Sequence, residues 1–163
     1  MSETEINIEI TDNGWKKNIP NVERYVKECI LSILKLLEIK EPIELGIRLS
    51  SNDEIAVFNN KFRNKNFPTN VLSFNQSKND KNLFYKDSER KLMGDIIVAY
   101  GVIENEAIEQ QKQLKYHFLH MIIHGFLHLL GYDHISVEDS EKMEKIEIEL
   151  LANFGVSNPY KIM

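Results

Sequence analysis

The sequence predicts an α+β fold, and three observations predict it. Four short strand-like runs are scattered through the first hundred residues, amphipathic stretches with helical spacing separate the early ones, and everything after the last run has helical character. At 163 residues the chain is long enough to bury a core of its own, which points to one domain over residues 1–163. Its 42% hydrophobic and 28% charged content is that of a globular protein. No apolar run approaches the roughly 20 residues that a membrane-spanning helix needs, so no membrane partner is expected.

Each element has its own signal. Ile6, Ile8 and Ile10 alternate with polar residues as in a strand, and a turn is expected at Asn13-Gly14. After Pro20, Val22, Val26, Ile30, Ile33 and Leu37 share one side of an amphipathic helix. Pro42 is followed by Ile43, Leu45, Ile47 and Leu49 in strict alternation, the pattern of a half-buried strand. Ser51 with Glu54 three residues on has the form of a capping box, opening a helix that carries Ile55, Phe58 and Phe62. Residues 71–74 and 96–100 are short β-branched or aromatic runs, and the polar stretch between them reads as a long loop. Residues 114–130 are apolar almost all round apart from histidines, which predicts a central buried helix. The acidic stretch after Ser136 has Val137, Met143, Ile146, Leu150 and Phe154 as its apolar side. It reads as a helix with a solvated acidic face, ending at Gly155, and is not expected to contact a polyanion.

The formal charge of −5 excludes a protein that coats nucleic acid by bulk electrostatics, but the charge is uneven. Residues 61–91 hold eight basic side chains (Lys61, Arg63, Lys65, Lys78, Lys81, Lys86, Arg90, Lys91) against three acidic ones, a net +5 that leaves −10 elsewhere. A local surface able to meet a polyanion is one reading of this segment; a solvated loop is the other. The single cysteine, Cys29, excludes an intramolecular disulfide and is expected in the core. With an acidic N-terminus that lacks the order of a secretory signal, this suits a cytoplasmic protein.

The run His124-Gly-Phe-Leu-His128-Leu-Leu-Gly131-Tyr-Asp-His134 carries the chemistry. Residues four apart lie one above the other on a helix, so His124 and His128 point the same way. Gly131 can take the left-handed conformation that ends a helix, and the short return through Tyr132-Asp133 brings His134 back toward the pair. Three imidazoles with an open fourth position are the arrangement of a catalytic rather than a structural zinc. His117 and His120 fall near the same stripe, but His120 and His128 are separated by about 12 Å along the helix axis, too far to share one ion. That leaves His120 and His117 as supporting or core residues.

The spacing of these histidines is shared with metzincin proteases, which place a Glu directly after the first histidine as general base. Here that position is Gly125, and peptide hydrolysis loses the group that moves its protons. A closer resemblance is to the YbeY family of bacterial endoribonucleases that act in ribosomal RNA maturation. It rests on His120-Met-Ile-Ile-His124 through His134, on Arg63-Asn-Lys65-Asn-Phe-Pro68-Thr69-Asn70-Val71-Leu72-Ser73-Phe74, on Met93-Gly94-Asp95-Ile96 and on the ending Asn158-Pro159-Tyr160. The likeness runs over about residues 54–160; the first fifty residues and 75–91 match weakly.

The resemblance implies a single α+β domain with a mixed four-stranded sheet backed by helices and a central, zincin-like metal-binding helix. One Zn2+ per chain would be held by His124, His128 and His134. The implied activity is metal-dependent cleavage of single-stranded RNA, in forming the 3′ end of 16S ribosomal RNA and in ribosome quality control, with the small ribosomal subunit as partner. A family arginine next to the metal maps onto Arg63, whose planar guanidinium suits charge building on phosphoryl oxygens. Two routes serve RNA without the missing Glu: attack by water activated at the metal, or internal attack by the ribose 2′-hydroxyl. Lys65 is a candidate second phosphate contact, and Asn70 and Ser73 are candidates to line the cleft. Asp95 either hydrogen-bonds a ligand histidine or caps a turn; Asp133 either orients an imidazole, serves as a base or is a turn residue.

Overall fold

The computed structural model describes residues 3–75 and 90–161. In chain order these form β1 (Glu5–Ile10), α1 (Gly14–Asn18), α2 (Val22–Leu36), β2 (Ile43–Ser50), α3 (Asn52–Arg63), β3 (Val71–Asn75), β4 (Lys91–Ala99), α4 (Tyr100–Glu109), α5 (Leu114–Leu129) and α6 (Val137–Ala152). The sheet order is β1-β2-β4-β3. β1, β2 and β4 run parallel, and β3 is an antiparallel edge strand on β4. The fold is thus the α+β arrangement with a mixed four-stranded sheet. Parallel neighbours need a crossover, which α1 and α2 supply between β1 and β2, and α3 with β3 supplies between β2 and β4.

Alternation decides which face each strand buries. Leu45, Ile47 and Leu49 of β2 and Ile96 and Val98 of β4 meet Val26, Cys29, Ile30 and Ile33 of α2, Phe118, Ile122 and Phe126 of α5, and Leu150 and Leu151 of α6. Cys29 lies in this core, where burial pushes its thiol well above the ordinary range. The opposite face carries a smaller cluster in which Leu72, Ile97 and Ala99 pack with Ile55 of α3. α5 is therefore seated against the sheet on the main-core side, with β3 beside it.

Several local expectations needed correction. The turn expected at Asn13-Gly14 is the start of α1, whose one turn buries Trp15 between Tyr100 and Phe118 and lets its Nε1 donate to Ser50 O at 3.1 Å. A five-residue helix is too short to show a period. Tyr100 opens α4 instead of closing the fourth strand, which begins earlier, at Lys91. Ser51 caps α3 by accepting from Glu54 N at 3.1 Å, but the reciprocal half of the capping box is absent: Glu54 instead receives Arg48 Nη2 at 2.9 Å and Thr11 Oγ1 at 2.6 Å. α6 ends at Ala152, three residues before Gly155, and Val137 on its expected apolar side is exposed. The long loop read between β3 and β4, with Lys78, Lys81 and Lys86, falls mostly on residues 76–89, outside the described residues. At the far end of the basic segment, Arg90 pairs with Glu5 and Glu44, and Lys91 with Glu41.

Candidate metal centre

α5 carries His124 and His128 on the side that faces a cleft of about 530 Å³, lined also by Arg63, Asn70, Ser73, Tyr132, Asp133 and His134. The helix ends as its sequence dictates. Gly131 has a φ of +100°, Gly131 N bonds His128 O at 3.0 Å and Tyr132 N bonds Leu127 O at 3.0 Å, the two bonds of a Schellman motif. This reversal returns His134 to the pair: its ring centroid lies 5.6 Å from that of His124 and 5.2 Å from that of His128. One nitrogen from each of the three rings can be chosen so that all lie within 4.8 Å of one another.

Tautomers can be read from the partners. His128 Nδ1 lies 3.0 Å from Tyr132 O, and a carbonyl only accepts, so Nδ1 carries the hydrogen. His124 Nδ1 lies 2.7 Å from Glu147 Oε2, and a carboxylate likewise takes that hydrogen. In the neutral rings that a metal requires, both Nε2 atoms are then bare lone pairs, and they face each other at 3.0 Å. Two acceptors at that distance repel unless a cation sits between them. Nitrogens about 2.0–2.1 Å from a tetrahedral ion would lie about 3.3 Å apart, so the residues fit a divalent metal. Burial first, then repulsion from His124, holds the His128 imidazole below its ordinary range, which keeps it neutral and available as a ligand.

Glu147 is the residue that sequence reasoning missed. It sits in the acidic helix read as solvated, yet its exposure is 0%. Its carboxylate accepts from His124 Nδ1, from His120 Nε2 at 3.4 Å and from the Tyr160 hydroxyl. Burial alone would raise its pKa, but the hydrogen bonds from His120, His124 and Tyr160 outweigh that and hold it down at about 2. Its signal was available: residues 143, 147, 150 and 151 share the inward side of α6, and only Glu147 among them is polar.

The remaining candidates divide. Arg63, at the end of α3, reaches round the β3 edge to the cleft, with Nη2 donating to Ser73 O at 3.1 Å and Cζ 5.1 Å from the Phe74 ring centroid. Ser73 and Asn70 line the cleft, but their polar atoms are engaged. Ser73 Oγ donates to Gly125 O at 2.8 Å, and Asn70 bonds Glu106 and accepts from Val71 N at 2.7 Å. Lys65 is exposed and does not line the cleft. Asp133 lines it, and its Oδ1 accepts from Ile135 N at 3.2 Å as a turn residue does. His120 faces Glu147 and Tyr160 and is linked to His124 through Glu147, while His117 pairs with Glu106 at 2.9 Å. Asp95 is not brought to the histidines. Its neighbour Ile96 faces α5, so Asp95 points to the opposite face, where it lines a separate hollow of about 850 Å³ with Phe58, Phe62 and Phe74.

Gly125 explains the lack of a carboxylate beside His124. A Cβ there would stand 3.1 Å from Ser73 Oγ, 3.1 Å from Val71 Cγ2 and 3.2 Å from Ile96 Cγ2, because this side of α5 presses on the sheet. Any side chain there would require these three neighbours to give by a few tenths of an ångström, so the packing favours glycine.

Fold and site together define an α+β protein whose central helix and following turn gather three histidines able to hold a metal ion. Residues 7–155 match the model of the family described as Endoribonuclease YbeY, a match that begins within the first strand and stops short of Tyr160. Endoribonuclease YbeY of Francisella tularensis subsp. novicida is 44% identical over 137 residues, covering 82% of this chain and 83% of that one. Endoribonuclease YbeY of Francisella tularensis subsp. tularensis (strain SCHU S4) has the same identity, over 82% and 80%. The solution structure of TM1509 from Thermotoga maritima superposes with a TM-score of 0.58 at 30% identity, over 96% of this chain and 99% of that one. The chain belongs to the YbeY endoribonuclease family.

Proposed function

We propose that the chain acts as a single domain, a cytoplasmic, zinc-dependent endoribonuclease on single-stranded RNA. Its role is in maturing the 3′ end of 16S ribosomal RNA and in ribosome quality control, with the small ribosomal subunit as partner. The observation that carries the metal-dependent chemistry is the pair of bare Nε2 atoms of His124 and His128 converging beside His134 in the cleft that Arg63 also lines. His124, His128 and His134 would hold the ion, which as a Lewis acid polarises a phosphoryl oxygen and acidifies water at neutral pH.

The chain's own groups supply the rest. Arg63 offers paired N–H donors to the phosphate as negative charge grows on its oxygens. Tyr132 O and Glu147 keep the protons of His128 and His124 on Nδ1, so neither ring turns its Nε2 away from the cleft. With Gly125 in place of the general base of a metzincin, the site favours a substrate that brings its own nucleophile, the 2′-hydroxyl of RNA.

The test is metal content together with cleavage of single-stranded RNA. Zinc-loaded wild type is expected to cut, with Arg63→Ala slowed about 10²–10³-fold and His124→Ala inactive. Cutting by His124→Ala at the wild-type rate, or cleavage of a peptide library in place of RNA, would overturn the reading.

A further inference from the structure

The ending Asn158-Pro159-Tyr160 plays no part in the chemistry just described, yet it is anchored to the rim of the metal centre. Asn158 Oδ1 accepts from Tyr160 N at 2.8 Å, turning the chain sharply, and Lys112 Nζ donates to Pro159 O at 3.4 Å. Tyr160 then stands edge-on to His120, ring centroids 5.4 Å apart, and its hydroxyl donates to Glu147 Oε1. The other oxygen of the same carboxylate receives His124 Nδ1 at 2.7 Å. An unbroken path therefore runs from the C-terminal segment through Glu147 to a nitrogen ring that converges on the metal site.

We propose that Tyr160 is a positioning residue for that centre: by occupying Oε1 it orients Glu147 so that Oε2 meets His124 Nδ1 and leaves Nε2 free for the ion. The proposal rests on the metal site described above. The torsion that turns a Glu carboxylate is broad, so a carboxylate held by one partner swings easily. Donors from α5 and from the C-terminal segment, gripping both oxygens, remove that freedom before the ion arrives, and what is ordered beforehand need not be ordered on binding. His120 Nε2 lies 3.4 Å from the same Oε1 and 3.1 Å from the Tyr160 hydroxyl, so it is a weaker second hold on the same oxygen. Removing the hydroxyl should then loosen the site without dismantling it.

The experiment is zinc affinity of the full chain by competition with a chromophoric chelator, for wild type, Tyr160→Phe, Glu147→Gln and the double variant. Tyr160→Phe is expected to weaken zinc about tenfold and Glu147→Gln on the order of 10–100-fold. Because Tyr160 acts through Glu147, the double variant should bind no more weakly than Glu147→Gln alone. The visible spectrum of the cobalt-substituted Tyr160→Phe protein should shift, a change that a merely looser tail would not produce. Wild-type affinity in Tyr160→Phe overturns the proposal, as do single effects that add in the double variant. Tyr160→Phe alone carries the test should the buried Glu147 variant not fold. A wild-type chain that binds no zinc overturns the metal site and this inference together, whereas tight zinc binding with no RNA cleavage overturns only the ribonuclease reading.

Discussion

Gly94 combines a φ of +122° with a Cβ position 2.0 Å from the carbonyl oxygen of Phe74, so a side chain there would strain its own backbone and strike the edge strand. The residue sits where the pairing of β2 with β4 slips, Glu44 opposite Leu92 but Leu45 opposite Gly94, which leaves Met93 as the extra residue of a bulge. That gives the Met93-Gly94-Asp95 motif a structural reason and removes the need for a role of Asp95 at the histidines. Gly94→Ala is expected to cost about 2 kcal/mol or more in stability, read as a lower urea midpoint; an unchanged midpoint would contradict the bulge. The same scale separates Arg63 from Lys65. Two residues apart, with Asn64 at φ 56° between them, they diverge, and only Arg63 lines the cleft.

The elements around the site are tied down mostly by local chemistry. α3 delivers Arg63 from a helix that starts on the Ser51 cap, and its first turn is fastened by the Arg48–Glu54 pair. The Arg48 hydrogen bond outweighs burial and lowers the Glu54 carboxyl below its ordinary value of 4.5. A carboxyl lowered by folding adds stability above its unfolded pKa and gives it up as pH falls through the folded one. Glu54→Gln should therefore be less stable than wild type at neutral pH, and the two should converge as acid protonates Glu54. Melting temperatures across that range check the sign, and a gap that stays constant down to the acid end would remove Arg48–Glu54 as its source. α6 makes the opposite point to α3. Its exposed acidic face is as expected, but the element's functional contribution is the one carboxylate on its buried side, Glu147.

Across the whole molecule, the apolar core spans the sheet, α2, α5 and α6 without the help of the three histidines, two of which are half-buried and one exposed. Chelation should therefore abolish RNA cleavage while far-UV circular dichroism and a cooperative melt persist. Zinc at 100 times its Kd should add about 2.7 kcal/mol. Unfolding on chelation would instead mark the zinc as structural. The order of strands and helices and the three-histidine group were legible along the chain, because alternation, helical spacing and a glycine stop are local patterns. α1 escaped notice because five residues show no period, and Tyr100 because an aromatic residue suits a strand end and a helix start alike. The sequence by itself determined that His124 and His128 share a helix side, that Gly131 returns His134 to them, and that Gly125 denies the site a neighbouring carboxylate. Tertiary structure alone decided that Arg63 rounds the β3 edge to line the same cleft, that Asp95 faces away, and that Glu147, held by Tyr160, meets His124. Glu147 meets His124 from 23 positions away, and Arg63 lines the cleft from 61 positions before His124; such placements follow from how layers stack, which no local pattern encodes.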